Sequence, residues 1–462
     1  MGVAARISLC LIVFLGSWSC SQAAGPDAAA AGFWSGWAER DGIRSEVAVR
    51  LFASSDGLAG TVNWPAMGYF QTDLISVRIE GSAATLSVPL PVGALKLIGT
   101  REGDRMTGTL DPIGLVRGDW QSLGKGGAFE LRRMSEPPLP YSIKDISFQS
   151  GDAMISGSLF LPLGKLPRAG IVYIAGSGDS TRGDGAFLAD RLARAGIAAL
   201  VYDKRGAGRS SGNWRQGGFE ELAADATEAL TLLQRHAGIR KDRTGFVCQS
   251  QGCWVVPIAL RQGAPAHFAV LQSGPAVSVS DEDLDYYRVT LASQGYGATE
   301  IEEAFALVRV NQRLSLGSAT TRDLDAAIAK YRDRAWFREL GFEAATTDDR
   351  ERAFERRTLG YDPATDIDAI RIPSLWIYGD ADTIIPVQAS VARVQQANAI
   401  PHPDIRMLPD AGHSFTVGKT TIPRLADGYP DLVIKWIRNQ LTELPDPRRN
   451  RRPACTRPLR RP

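Results

Sequence analysis

The chain has 462 residues with a formal net charge of +2, and 44% of its residues are hydrophobic and 23% charged. That composition excludes a disordered or collagen-like chain, and the length exceeds one ordinary domain, so two folded units are expected. The charge balance excludes a basic nucleic-acid domain, because part of the positive excess sits in the Arg-rich tail PDPRRNRRPACTRPLRRP.

In chain order, residues 1–24 read as an export signal. Arg6 precedes the apolar run ISLCLIVFLGSW, and small residues follow in SCSQAAG, giving a cleavage point near Ala24. The run is too short for a stable membrane-spanning helix, so no membrane span is expected in the mature protein. Cys20 is an alternative lipidation site, but the bulky Trp18 just before it fits a lipobox poorly, and soluble export to the periplasm or medium is the expectation. Removal of the signal leaves Cys248, Cys253 and Cys455. An odd number of cysteines makes no disulfide framework, and their spacing is not that of a zinc site, so no metal is expected. A bridge from Cys248 to Cys253 would need their Cα atoms within about 7 Å across a tight turn and a helix start, and the two thiols are expected to stay unpaired.

From residue 33 to 134, short alternating runs such as SEVAVRLFA, LISVRIEG, ATLSVPL and AFELRRM stand between Gly and Asp turns. That pattern predicts an antiparallel β domain, a sandwich or a barrel. The stretch SEPPLPY reads as a linker, because adjacent prolines break both helix and sheet. Residues 141–444 then open with a hairpin, IKDISFQSGDAMISGSLFLP, and alternate apolar strands (AGIVYIAG, IAALVYD, TGFVC, FAVLQSG, SLWIYGD, DIRMLPD) with amphipathic helices. Continuous apolar strands with interposed helices predict an α/β fold with a mostly parallel sheet covered on both faces. The charged, helical stretch at about 280–372 is too long for a simple crossover and is expected to cap the carboxyl ends of the strands. The tail 445–462 lacks apolar periodicity and is expected to be disordered.

Acyl transfer by a serine needs an exposed hydroxyl, a histidine to take its proton, a carboxylate to orient that histidine, and N–H groups for the oxyanion. In CQSQG, Ser250 stands between an apolar strand expected to end at Val247 and a helix expected to begin near Gln251, which is the setting of a nucleophile elbow. Of the four histidines, His236 ends a helix, His267 precedes a strand and His402 lies between prolines, which leaves His413 in LPDAGHSF at the carboxyl edge of the sheet. IYGDADTIIP offers Asp380 and Asp382, of which Asp382 is preferred as the orienting acid and Asp380 as a turn brace. Cys248, where such elbows carry glycine, is read as a small, buried packing residue rather than a nucleophile. Asp203, Arg205 and Arg209 in DKRGAGRS are read as bracing residues, and Tyr286, Tyr287 and Trp336 as core of the cap. Arg182 and Asp184 are open to a substrate role, although Asp184 also suits a helix cap.

Residues 141–444 resemble the α/β hydrolase superfamily, specifically the exported bacterial branch of serine-aminopeptidase-like (S33-type) hydrolases and EstD-type esterases. The resemblance rests on YIAGSGDSTRGDG, GIAALVYDKRGAGRSSG, CQSQGCWVVPIAL, GDADTIIP and AGHSF, which occur in the family's order. It implies an oxyanion hole made by the backbone N–H groups of Ser177 and Gln251. Ala175 stands where the family usually carries a loop-supporting histidine, a departure that bears on the rigidity of that loop. The expected activity is hydrolysis of a small-molecule carboxylic ester through an acyl-enzyme on Ser250, with neither metal nor cofactor. An aminopeptidase, amidase or thioester hydrolase with the same triad is the alternative, and a non-catalytic envelope-binding protein is the least favoured reading. Oligomeric state is unreadable from the sequence.

Overall fold

Alternation of apolar and polar side chains over residues 33–134 becomes, in the computed structural model, a nine-stranded antiparallel sheet. The structure describes residues 28–40, 42–90, 93–113, 127–164, 168–236, 238–341, 349–399, 401–417 and 424–443. The expected export segment 1–24 with Cys20, and the basic tail 445–462 with Cys455, lie outside the described residues.

The strands are β1 (Gly32–Arg40), β2 (Ile43–Ser54), β3 (Gly57–Trp64), β4 (Tyr69–Asp73), β5 (Ser76–Glu80), β6 (Ala83–Pro89), β7 (Ala94–Glu102), β8 (Arg105–Ile113) and β9 (Ala128–Met134). They pair in the order β4-β3-β2-β1-β9-β8-β7-β6-β5, so the two edge strands are consecutive in the chain. Between them the N–H of Leu74 donates to the carbonyl of Gly60 in β3 at 2.9 Å. The sheet therefore curls into a half-barrel, which shortens the exposed edges that an open sheet would leave. Trp34, Trp64, Leu86, Leu97 and Phe129 fill its interior.

The second domain begins with the hairpin β10 (Tyr141–Ser150) and β11 (Ala153–Pro162). The strands β12 (Arg168–Ile174), β13 (Ala198–Tyr202), β14 (Ile239–Gln249), β15 (Ala269–Gln272), β16 (Ser374–Gly379) and β17 (Asp404–Leu408) follow. The sheet order is β10-β11-β13-β12-β14-β15-β16-β17, with β11 antiparallel to both of its neighbours and β12 to β17 parallel. Between strands run α1 (Ala186–Arg194), α2 (Phe219–Arg235) and α3 (Gly252–Arg261). The long insertion carries α4 (Val279–Ser293), α5 (Ala298–Ser315), α6 (Thr321–Tyr331), α7 (Asp349–Thr358) and α8 (Ala364–Asp368), and the fold closes with α9 (Val387–Gln395) and α10 (Asp431–Glu443).

Strand β13 is buried at every position, which is why its sequence shows a continuous apolar run rather than alternation. Helices α2, α3 and α9 cover one face of the sheet, through residues such as Leu230, Val256 and Val394. Helices α1 and α10 cover the other, through Leu192 and Ile437. The insertion has a small core of its own around Leu291, Leu307, Val308 and Trp336, with Tyr287 packed against it. Tyr286 departs from the expectation for the cap aromatics, being 41% exposed beside Tyr287.

The turn after β13 is held by buried charge. Arg205 donates to both carboxylate oxygens of the fully buried Asp225, at 2.8 and 2.7 Å. Arg182 does the same to Asp203, at 3.1 and 2.8 Å, and donates to Ser156 and to the carbonyl of Gly157. Asp203 in turn accepts from the N–H of Arg209. These residues brace the chain because each buried charge is paired and hydrogen-bonded, the role expected from the sequence for Asp203, Arg205 and Arg209 but not for Arg182.

The two domains share a core. Phe70 of β4 is 7% exposed and packs edge-on to Phe160 of β11, with ring centroids 6.0 Å apart, in the same cluster as Leu188 and Leu192 of α1.

Candidate active site

Strand β14 runs to Gln249, two residues beyond the expected end, and α3 starts at Gly252, so the chain reverses within Ser250 and Gln251. Ser250 takes up the reversal with φ 52, in the left-handed region that a residue with a Cβ enters only under constraint. Its N–H donates to the carbonyl of Gln272 in β15 at 2.9 Å, and its carbonyl accepts from Cys253 at 2.8 Å. Gly252 is demanded by this turn, since a Cβ there would lie 2.5 Å from the carbonyl oxygen of Ile174 and 2.6 Å from that of Ala175. Gly176 is similarly pressed against the serine, its notional Cβ falling 3.3 Å from Cβ of Ser250.

The same reversal corrects the expectation for the cysteines. Cys248 and Cys253 are joined by a disulfide, with Cα atoms 5.2 Å apart. The left-handed residue between them folds the first turn of α3 back alongside the end of β14, which brings the two side chains within bridging distance despite a separation of five residues. Both are buried, at 0% and 1% exposure. Cys248 thus crosslinks the elbow as well as filling space beneath it.

Asp382 follows β16, and its side chain is fully buried. One oxygen accepts from the N–H groups of Ile384 and Ile385, at 2.8 and 3.4 Å, which leaves the other to meet Nδ1 of His413 at 2.9 Å. Asp380 is exposed at the same turn, where its N–H donates to the carbonyl of Leu408. His413 lies on the loop after β17. Its carbonyl accepts from Oγ of Ser273 at 2.7 Å and from the Gln249 amide at 3.0 Å, which ties the histidine loop to the strand that carries Ser250. The loop continues into a hairpin of β18 (Thr416–Val417) and β19 (Arg424–Leu425), elements the sequence reading did not anticipate. Ser250 and His413 line one cleft of about 420 Å³, together with Ser177 of the loop after β12. The N–H groups of Ser177 and Gln251 donate no hydrogen bond among the described residues, so both are available to an oxyanion.

The loop after β12 lacks the usual histidine, and its support comes from elsewhere. Nζ of Lys204 donates to the carbonyl of Gly176 and, at 3.3 Å, to Oε1 of Gln251. Oγ of Ser180 donates to the carbonyls of Gly176 and Ser177, at 3.2 and 3.0 Å, while Asp179 accepts from Trp214 and Arg215 at 2.7 Å each. Burial lowers the Lys204 ammonium to about 8. Lys204 spans the two segments expected to form the oxyanion hole, and sequence reasoning passed over it in favour of its neighbours in DKRG. The only available signal was Ala175, where the family usually carries a loop-supporting histidine.

Of the two residues left open to substrate, Arg182 is committed to the Asp203 network, while Asp184 accepts from the N–H of Thr181 at 2.8 Å and so caps the turn before α1. Asp184 also lines the cleft, where burial raises its carboxyl above the usual range. Two contributors from outside the predicted site remain. Glu282, in the first turn of α4, has its carboxyl pushed up to about 8 by burial, with Asp283, Asp285 and Asp382 adding negative potential. Met67, Gly68 and Tyr69 of the N-terminal domain line the Ser250 cleft directly.

Residues 165–418 match the family described as serine aminopeptidase, S33. No curated protein matches the chain significantly. Among solved structures, an α/β hydrolase from Penicillium sp. sh18 is 14% identical, covers 65% of this chain and 97% of its own, and superposes with a TM-score of 0.42. An esterase of Pyrococcus furiosus is 16% identical, with 66% and 92% of the two chains covered and a TM-score of 0.42. An acetyl xylan esterase from Paenibacillus sp. R4 is 15% identical, with 67% and 87% covered and a TM-score of 0.41.

Two outcomes test this geometry. Lys204→Met removes the donor that joins Gly176 to Gln251 and is expected to lower kcat by about 10- to 100-fold with little change in melting midpoint, because the oxyanion donors lose their alignment. An unchanged kcat would show that the loop holds its shape without Lys204. Replacing Cys248 and Cys253 together by serine is expected to lower the unfolding free energy by about 2 kcal/mol in urea titration, the loop-closure value for so short a ring. Equal stability before and after would remove the crosslink from the account.

Proposed function

Since the chain belongs to the S33 serine aminopeptidase family of α/β hydrolases, we propose that it is an exported serine hydrolase that cleaves carboxylic esters of small or medium acyl chain. Ser250 attacks the ester carbonyl while His413 takes the serine proton. Asp382 holds the histidine tautomer that leaves Nε2 free for that transfer, and the N–H groups of Ser177 and Gln251 stabilise the oxyanion. His413 then gives the proton to the leaving alcohol, and water repeats the cycle on the acyl-enzyme. The observation that carries this reading is the strained Ser250, at φ 52, sharing a cleft with a histidine whose Nδ1 lies 2.9 Å from a buried carboxylate.

Export is supported by the signal-like residues 1–24 and by the Cys248–Cys253 bridge, because structural disulfides persist in oxidising compartments. The preference for esters is supported by the acids near the site. A peptide with a free amino terminus needs an anion to receive its ammonium group. Asp184 is engaged as a cap, and Glu282 is held in its neutral form at pH 7.

Glu282 also favours a second reading at higher pH. With its carboxyl ionised it is an anion of the kind a substrate ammonium needs, and an aminoacyl amide would then be the substrate.

Replacing Ser250 by alanine is expected to lower turnover of p-nitrophenyl acetate and butyrate by about 10³-fold or more, with the fold retained. Turnover at the wild-type rate would overturn the assignment. Glu282 gives a pH prediction whose sign is fixed. The unfolded chain loses the Glu282 proton near 4.5 and the folded chain near 8, so stability falls as pH rises through that window. Glu282→Gln is therefore expected to raise the melting midpoint relative to wild type, by an amount that grows from pH 5 to pH 8. A constant difference would contradict the buried neutral carboxyl.

A further inference from the structure

One wall of the Ser250 cleft does not belong to the hydrolase domain. The chain between β3 and β4 makes a 3-10 turn, Pro65–Met67, and Met67, Gly68 and Tyr69 face the cleft from there. We propose that this corner of the N-terminal domain selects the leaving alcohol of the ester, taking an apolar or aromatic group against Tyr69 and Leu425, with Met67 packed behind them. The proposal rests on Ser250 acting as the nucleophile.

Position assigns the alcohol rather than the acyl group. His413 protonates the leaving oxygen, so the alcohol lies on the histidine side of the scissile bond. That side is built by the chain just after His413: Thr416 pairs with Leu425 across the β18–β19 hairpin, and Leu425 reaches to 3.5 Å from the point where a Cβ on Gly68 would stand. Met67 and Gly68 therefore rest on the hairpin that continues the histidine loop. The oxyanion loop, by contrast, reaches the cleft from the end of β12.

The corner is rigid enough to discriminate. Pro65 starts the turn and Gly68 closes it in the left-handed region, at φ 74, with its N–H bonded to the carbonyl of Pro65. Trp64, fully buried, donates from Nε1 to Oγ of Ser45 at 2.8 Å, and the N–H of Gln71 donates to Asn63 at 2.6 Å. Tyr69 donates from its hydroxyl to the carbonyl of Pro89 at 2.7 Å, and burial pushes that hydroxyl up to about 12. Phe70, the next residue, is anchored under α1 beside Phe160, so the wall keeps a fixed distance from the serine.

Chemistry narrows the occupant. Leu425, Phe187 and the Tyr69 ring present apolar surface, with Met67 and Leu188 buried behind them at 6% and 4% exposure, and the carboxylate in the lining, Asp184, spends one oxygen on the N–H of Thr181. An uncharged, apolar or aromatic alcohol fits these walls, whereas an anionic one would lose solvation beside the Asp184 carboxyl.

The test uses the full chain and separates the two halves of the substrate. Acetate esters of ethanol, benzyl alcohol and 1-naphthol vary the alcohol, and p-nitrophenyl esters from acetate to octanoate vary the acyl chain. Met67→Ala is expected to raise kcat/KM for 1-naphthyl over ethyl acetate by about 10-fold, and Met67→Phe to lower it by a similar factor, with the acyl series keeping its wild-type pattern. Leu425→Ala enlarges the same corner from the hydrolase side and is expected to act as Met67→Ala does. It keeps the test decisive if a barrel variant melts early. An alcohol series unchanged in the folded variants, or a change confined to the acyl series, would overturn the proposal. Loss of the underlying reading has a separate signature, since Ser250→Ala would then still turn over ethyl acetate.

Discussion

Ser250 sits at φ 52 between a buried strand and a buried helix, a conformation that costs a residue with a side chain about 1–2 kcal/mol and persists only where its surroundings hold it. Those surroundings account for much of the site. Gly252 is required because the reversal drives its backbone onto the carbonyls of Ile174 and Ala175, and Gly176 is required because the neighbouring loop must pass the serine closely. The bond from the serine N–H to Gln272 fixes the turn to the next strand, and the Cys248–Cys253 bridge closes it from below. A hydroxyl raised in this way at the sheet's carboxyl edge, beside the start of α3, shares a cleft with the loops after β12 and β17.

Much of this arrangement is legible in the sequence, for local reasons. Apolar strand, polar turn and amphipathic helix alternate clearly enough from residue 169 to 272 to place Ser250 on a turn, and a chain with only four histidines narrows the choice of base. The approach of Asp382 to His413 then follows from both lying after adjacent parallel strands, β16 and β17. The half-barrel is legible as a β domain because its strands alternate. Its closure is not, since closure depends on the contact of Leu74 with Gly60 across the sheet.

What the sequence hides is set by packing between distant segments. Lys204 supports the loop after β12 through the carbonyl of Gly176, a contact made between segments 28 residues apart and set by the folded sheet. The cysteines look unbridgeable in a linear reading, because a strand end and a helix start point apart until a left-handed residue reverses them. Met67 lies 183 positions before Ser250 (250 minus 67) and carries no motif. It reaches the cleft because Phe70 docks beneath α1, a contact made by ring packing and invisible to periodicity. The N-terminal domain is thus a structural neighbour of the proposed chemistry.

The central claim is that Ser250 is the activated nucleophile, and chemical labelling reads it without any assumption about the ester. A fluorophosphonate probe transfers its phosphonyl group to a serine whose hydroxyl is deprotonated by a neighbouring base, and peptide mass spectrometry locates the adduct. The account predicts a single adduct on the peptide that contains Ser250, formed by the native protein and not by protein unfolded before labelling. Absence of labelling, or an adduct on any other residue, would contradict it.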